Sequence, residues 1–85
     1  MALFTAILYM ENEELNATYR PAHLEYLEGL EKEGKIFAKG PFLDGAGGMV
    51  IYEVDSLEEA RKLAEADPYV VKGVRKLELH EWGKM

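Results

Sequence analysis

The pattern of this chain predicts an α+β fold: four strands and two helices, folded as one antiparallel sheet with both helices on one face. Three observations carry the prediction. Apolar runs of strand length recur at residues 2–10, 35–40, 49–54 and 74–82. Two segments with apolar residues at helical spacing separate them, and glycine or proline marks most of the boundaries. With 85 residues there is room for one domain, 1–85.

Residues 2–10 (ALFTAILYM) are almost continuously apolar and rich in strand formers. Glu11–Thr18 is acidic, holds Asn12 and Asn16, and reads as a loop. Pro21 then suits the first turn of a helix, where its missing N–H costs nothing. Leu24, Leu27 and Leu30 form the apolar stripe of that helix; Glu25, Glu28, Glu31 and Glu33 take the wet side. Gly34 suits the position just past the helix end. The second strand is 35–40, and the glycine-dense stretch from Pro41 to Gly48 is a turn. The third strand is 49–54. Ser56 caps the second helix, with Glu59 at capping-box spacing. Leu57, Ala60, Leu63 and Ala64 stripe it, and Asp67-Pro68 ends it. A short Tyr69–Gly73 connection leads to the last strand, 74–82. In so small a chain this βαββαβ order is that of the ferredoxin-like plait.

Composition narrows the function. Apolar residues make up 48% of the chain, which argues against disorder. Sixteen acidic against ten basic residues give a net charge of −6, which repels a phosphate backbone, so no nucleic-acid partner is expected. No apolar run approaches the ~20 residues that cross a bilayer, and no basic segment precedes the first apolar stretch. With no cysteine and only two histidines, neither a disulfide staple nor a zinc cage is expected. The expectation is a cytoplasmic protein without a metal or other cofactor.

The first strand is apolar on both faces: Ala2, Phe4, Ala6, Leu8 and Met10 on one, Leu3, Thr5, Ile7 and Tyr9 on the other. The third repeats this with Met49 and Ile51 opposite Val50, Tyr52 and Val54. Helices cover one face only, and bare patches of that size are rare on monomers. Burying ~500 Å² of apolar surface per subunit contributes roughly 12 kcal/mol before association costs. The expected solution is a homodimer, sheet against sheet.

Topology gathers four distant segments at one end of the sheet: the exit of the first strand, Arg20–His23, the Gly40–Gly48 loop, and Asp67–Gly73. His23 is the sharpest candidate there. It shares the stripe of Leu27 and Leu30, and histidine is the natural proton carrier at neutral pH. Asp67 can orient it. The same two residues also suit a satisfied histidine at the core's edge and an aspartate capping backbone N–H groups. The glycines of the 40–48 loop can present N–H groups to an anion or simply permit a turn. No Walker or dinucleotide fingerprint is present, and Ser56, the only serine, is explained by its cap. His80 lies toward the opposite end, alternating with Glu78 and Trp82 on a dimer-facing or surface side.

Arg20-Pro21-Ala22-His23-Leu24, the leucine-rich helix, Gly40-Pro41, Ser56-Leu57-Glu58-Glu59-Ala60, and Asp67-Pro68-Tyr69-Val70 followed by Gly73-Val74 resemble the YciI-like (YCII-related) family over essentially the whole chain. That family belongs to the dimeric α/β-barrel superfamily. The resemblance implies a ferredoxin-like subunit, a two-fold dimer, and an active site centred on a histidine and an aspartate. These fall on His23 and Asp67. The family's Gly-Pro at the pocket rim falls on Gly40 and Pro41, and its arginine before the helix on Arg20. Tyr69 then shapes the wall, and Arg20 receives an anionic group. One family relative eliminates HCl from a chlorinated hydroxyquinol. The implied function is a lyase-type or isomerase enzyme acting on a small molecule. The alternatives are a non-catalytic ligand-binding or accessory dimer, and an interaction protein whose pocket is vestigial. The chain departs from the family pattern after the first strand, where Glu11 is the nearest acidic residue, and in the short Phe42–Gly48 loop.

Overall fold

The computed structural model describes all residues, 1–85. The chain runs β1 (Ala2–Met10), α1 (Glu13–Lys32), β2 (Ile36–Pro41), β3 (Gly47–Val54), α2 (Leu57–Glu65), α3 (Pro68–Val71) and β4 (Arg75–Trp82). The strands form one antiparallel sheet in the order β2-β3-β1-β4, the ferredoxin-like arrangement. The register sets the faces. Leu8 stands opposite Gly48 and Leu77, Ala6 opposite Val50 and Leu79, and Phe4 opposite Tyr52. Phe4, Ala6, Leu8, Val50, Tyr52 and Val54 are buried beneath Leu27 and Leu30 of α1 and Ala60 and Ala64 of α2.

Three expected boundaries are corrected. The supposed loop Glu11–Thr18 is mostly helix, because α1 begins at Glu13 rather than at the proline. Asn12 caps it, its side chain accepting the Glu14 N–H at 3.1 Å, and Glu13 and Glu14 sit at the positive end of the helix dipole. The Glu11 and Asn12 amides both donate to the Val74 carbonyl, which fastens the helix start to the approach to β4. Pro21 therefore lies inside the helix, where its ring deprives the Ala17 carbonyl of its usual partner. At the far end the expected stop holds. Gly34 takes φ +75°, its N–H bonds the Glu31 carbonyl, and the Lys35 N–H bonds that of Leu30, which is a Schellman closure.

The second correction is the turn, which is shorter than Pro41–Gly48. Pro41 ends the edge strand β2, where a missing N–H is tolerated. Gly47 and Gly48 begin β3, paired with Tyr9 and Leu8. Gly47 has φ +147°, and a Cβ there would fall on the Leu8 carbonyl oxygen, so only glycine fits. The third correction is the connection after α2. Residues 68–71 are a helical turn, α3, with Asp67 as its cap and Pro68 at its start. Ser56 caps α2 as expected, accepting the Glu59 N–H at 3.1 Å. Leu57 is exposed rather than part of the buried stripe of α2.

On the sheet face away from the helices lie Leu3, Ile7, Tyr9, Met49, Ile51 and Trp82. No helix is long and apolar enough to cross a membrane.

Candidate active site

The ends of these elements meet in a cavity of about 240 Å³ between the sheet and α1. Leu8, Leu27 and Val50 supply apolar floor, and Gly40, Pro41 and Gly48 form the rim along β2 and β3. Arg20, His23, Lys39, Tyr69 and Arg75 supply the polar wall. The volume lies below the ~300–1,000 Å³ usual for drug-sized ligands, which suits a single ring or a short chain.

His23 sits on α1 one turn before Leu27, on the buried stripe. Its Nδ1–H donates to both carboxylate oxygens of Asp67, at 2.8 and 3.0 Å. Asp67 is wholly buried. Its carboxylate is satisfied from two sides, because Oδ1 also accepts the Tyr69 N–H at 2.9 Å and so caps α3. The two roles read from the sequence, histidine partner and helix cap, are thus filled by one side chain. An ionised carboxylate can only accept, so the neutral imidazole carries its proton on Nδ1 and leaves Nε2 as the free base. Nε2 has no protein partner.

Tyr69 stacks on the imidazole, with ring centroids 4.0 Å apart and planes inclined by 18°. The guanidinium of Arg75 lies 4.5 Å from the centroid of the same Tyr69 ring. Burial pushes the Tyr69 phenol above its ordinary pKa against the pull of Arg75 and Arg20, with Asp67 adding to the rise. Tyr69 is therefore a neutral hydroxyl at physiological pH. No three histidine or carboxylate side chains converge in a way that would hold a metal ion.

Of the residues expected at the site, Arg20, His23, Gly40, Pro41 and Tyr69 line the cavity, and Asp67 lies directly behind His23. Arg75, Lys39 and Asn16 were not anticipated. Arg75 was detectable, since it shares a face of β4 with Leu77 and Leu79, and a cation on a core-facing side asks for a reason. Asn16 was hidden by reading its segment as loop. It holds Arg75 in place, its Oδ1 accepting from Nη2 at 2.8 Å and Nε at 3.2 Å.

The YCII-related domain model matches residues 1–83. The chain belongs to the YCII-related family. Within this family it is 40% identical to the uncharacterized protein YjpA of Bacillus subtilis, over 89% of each chain. It is 44% identical to protein YciI of Escherichia coli, over 72% of each chain. Among solved structures it resembles the 5-chloro-2-hydroxyhydroquinone dehydrochlorinase TftG of Burkholderia phenoliruptrix, determined in complex with 2,5-dihydroxybenzoquinone. The TM-score is 0.81 and the identity 27%, over 95% of this chain and 93% of that one. The YCII-related subunit is thus a ferredoxin-like α+β fold whose sequence ties it to this family along nearly its whole length.

Proposed function

We propose that this protein is a small cytoplasmic enzyme that moves a proton on a small-molecule substrate, with His23 as the acid–base group and Asp67 as its positioning partner. One observation supports this above the others: a buried carboxylate fixes the imidazole tautomer and leaves Nε2 free beside a ligand-sized cavity. Arg20, Gly40, Pro41 and Tyr69 form the substrate-binding wall. In the step, Nε2 takes a proton from an O–H or C–H of the substrate. The electron pair left behind moves into the carbon skeleton. In an elimination it expels a leaving group from a neighbouring carbon, and the proton on His23 passes to water. In an isomerisation His23 returns the proton to a different carbon. The likeness to a dehydrochlorinase favours elimination.

The test uses two reactions: chloride release from a chlorinated hydroxyhydroquinone, and exchange of ring hydrogen for deuterium in 2,5-dihydroxybenzoquinone. The wild-type protein is expected to accelerate at least one. His23→Ala, folded by circular dichroism, is expected to lose about 10²–10⁴-fold in rate. A folded His23→Ala at the wild-type rate overturns the role of His23. A wild-type protein that accelerates neither overturns the elimination reading in favour of a binding module. We further propose that the subunit pairs with a second copy through its helix-free face, which carries Leu3, Ile7, Tyr9, Met49, Ile51 and Trp82.

A further inference from the structure

We infer that the cavity selects a small planar anion, holding a delocalised oxyanion of the ligand between the guanidinium groups of Arg20 and Arg75 while another part of the ligand meets His23. This deepens the function proposed above and rests on the same pocket. It adds a substrate class and a specificity-determining residue, Arg75.

The charge distribution carries the argument. The chain has six more acids than bases, so carboxylates are plentiful for any cation that needs one. Of its three arginines, Arg61 takes one, Glu65, at 3.6 Å. Arg20 and Arg75, the two that line the cavity, have no carboxylate partner. The third cavity cation, Lys39, is paired with Glu31 at 3.3 Å. No acid lines the cavity, and Asp67, behind His23, is occupied by the imidazole and the Tyr69 amide. The cavity of an acidic protein is thus a pocket of uncompensated positive charge.

Arg75 is also fixed. Asn16 holds Nε and Nη2, Nη1 reaches toward the Leu8 carbonyl at 3.4 Å, and the Tyr69 ring lies against its plane. All of these partners are neutral. They orient the charge without cancelling it, which is how a site prepares to receive an anion. Gly48 leaves the approach open, since a Cβ there would lie 3.5 Å from Arg75 Nη1 and 3.1 Å from the Gly40 carbonyl oxygen. The Tyr69 hydroxyl is acted on by both guanidinium charges, so the two fields overlap at the cavity wall. Tyr69 contacts both His23 and Arg75, so the acid–base group and the guanidinium border the same wall of the cavity.

The experiment is a binding titration, so its result is independent of turnover. The probes are 2,5-dihydroxybenzoquinone, whose acidic hydroxyls ionise at neutral pH, and 2,5-dimethoxybenzoquinone, which keeps the ring and carries no charge. The wild-type protein is expected to prefer the ionised quinone by at least about tenfold. Arg75→Gln is expected to weaken that quinone by about 10–100-fold and leave the neutral one unchanged. Arg75→Lys keeps the charge without the planar fork and is expected to fall between them. Lys72→Gln, an exposed cation beside Tyr19, is expected to alter neither. Equal affinity of the wild-type protein for both quinones overturns the inference. So does unchanged selectivity in Arg75→Gln or, should that variant misfold, in both Arg75→Lys and Arg20→Gln. His23→Ala that keeps the selectivity but not the rate supports both readings. Selectivity in a wild-type protein that turns nothing over keeps this one and removes the other.

Discussion

At Asp67 a buried negative charge is tolerated because two donors reach it, the imidazole Nδ1–H and the Tyr69 amide. Removing the side chain strands both. The lost cap costs typically ~1 kcal/mol, and a buried imidazole N–H without an acceptor adds ~1–3 kcal/mol. Asp67→Ala is therefore expected to lower unfolding stability by about 2–4 kcal/mol in urea titration, and Asp67→Asn, which keeps an acceptor for the amide, by less. Equal midpoints for Asp67→Ala and wild type would contradict the pairing. This pair was legible in the sequence. A histidine four residues before Leu27 and seven before Leu30 had to point inward, and the plait topology brings the Asp67-Pro68 turn to the same end. Arg75 is legible only as a cation on a core-facing side of β4; its fixed orientation depends on Asn16, which sits in the turns of α1 before Pro21.

That helix is where local signals misled. Pro21 invites a helix start, yet the cap at Asn12 and the acids after it are the stronger pair, and contacts to Val74 and Arg75 anchor the added turns. The strands were read closely because their alternation is forced by the two faces of the sheet. Pro41 and the glycines at the start of β3, whose composition signals a turn, also belong to the ladder. The middle of β3 also sets a pH limit. Burial pushes the Tyr52 phenol far above its ordinary value, with Asp67 and then Tyr26 adding to the rise. The folded state therefore keeps a proton that the unfolded chain releases near pH ~10. The stabilisation is complete below that pH and is lost as pH climbs above it toward the folded value. Unfolding free energy is expected to fall from about pH 10 upward. Tyr52→Phe is expected to flatten that decline without abolishing it, since Tyr26 and Tyr69 are raised too. A decline of equal slope in both proteins would rule Tyr52 out as its source.

For the whole molecule, the proposed pairing rests on the helix-free sheet face. A row of apolar side chains there leads to the expectation of a particle of twice the 9.6 kDa chain mass in sedimentation equilibrium. Ile7→Lys, which puts a charge in the middle of that face, is expected to shift the particle to the single-chain mass while the far-ultraviolet spectrum is preserved. A wild-type protein sedimenting as one chain at micromolar concentration would remove the sheet-to-sheet pairing. One atom group links this scaffold to the candidate site. Because the carboxylate that steadies the imidazole also starts the short helix α3, most replacements of Asp67 disturb both duties at once. A relative without the proposed reaction would still have cause to keep the aspartate. Finding that residue in a distant sequence therefore testifies to inherited architecture sooner than to surviving activity.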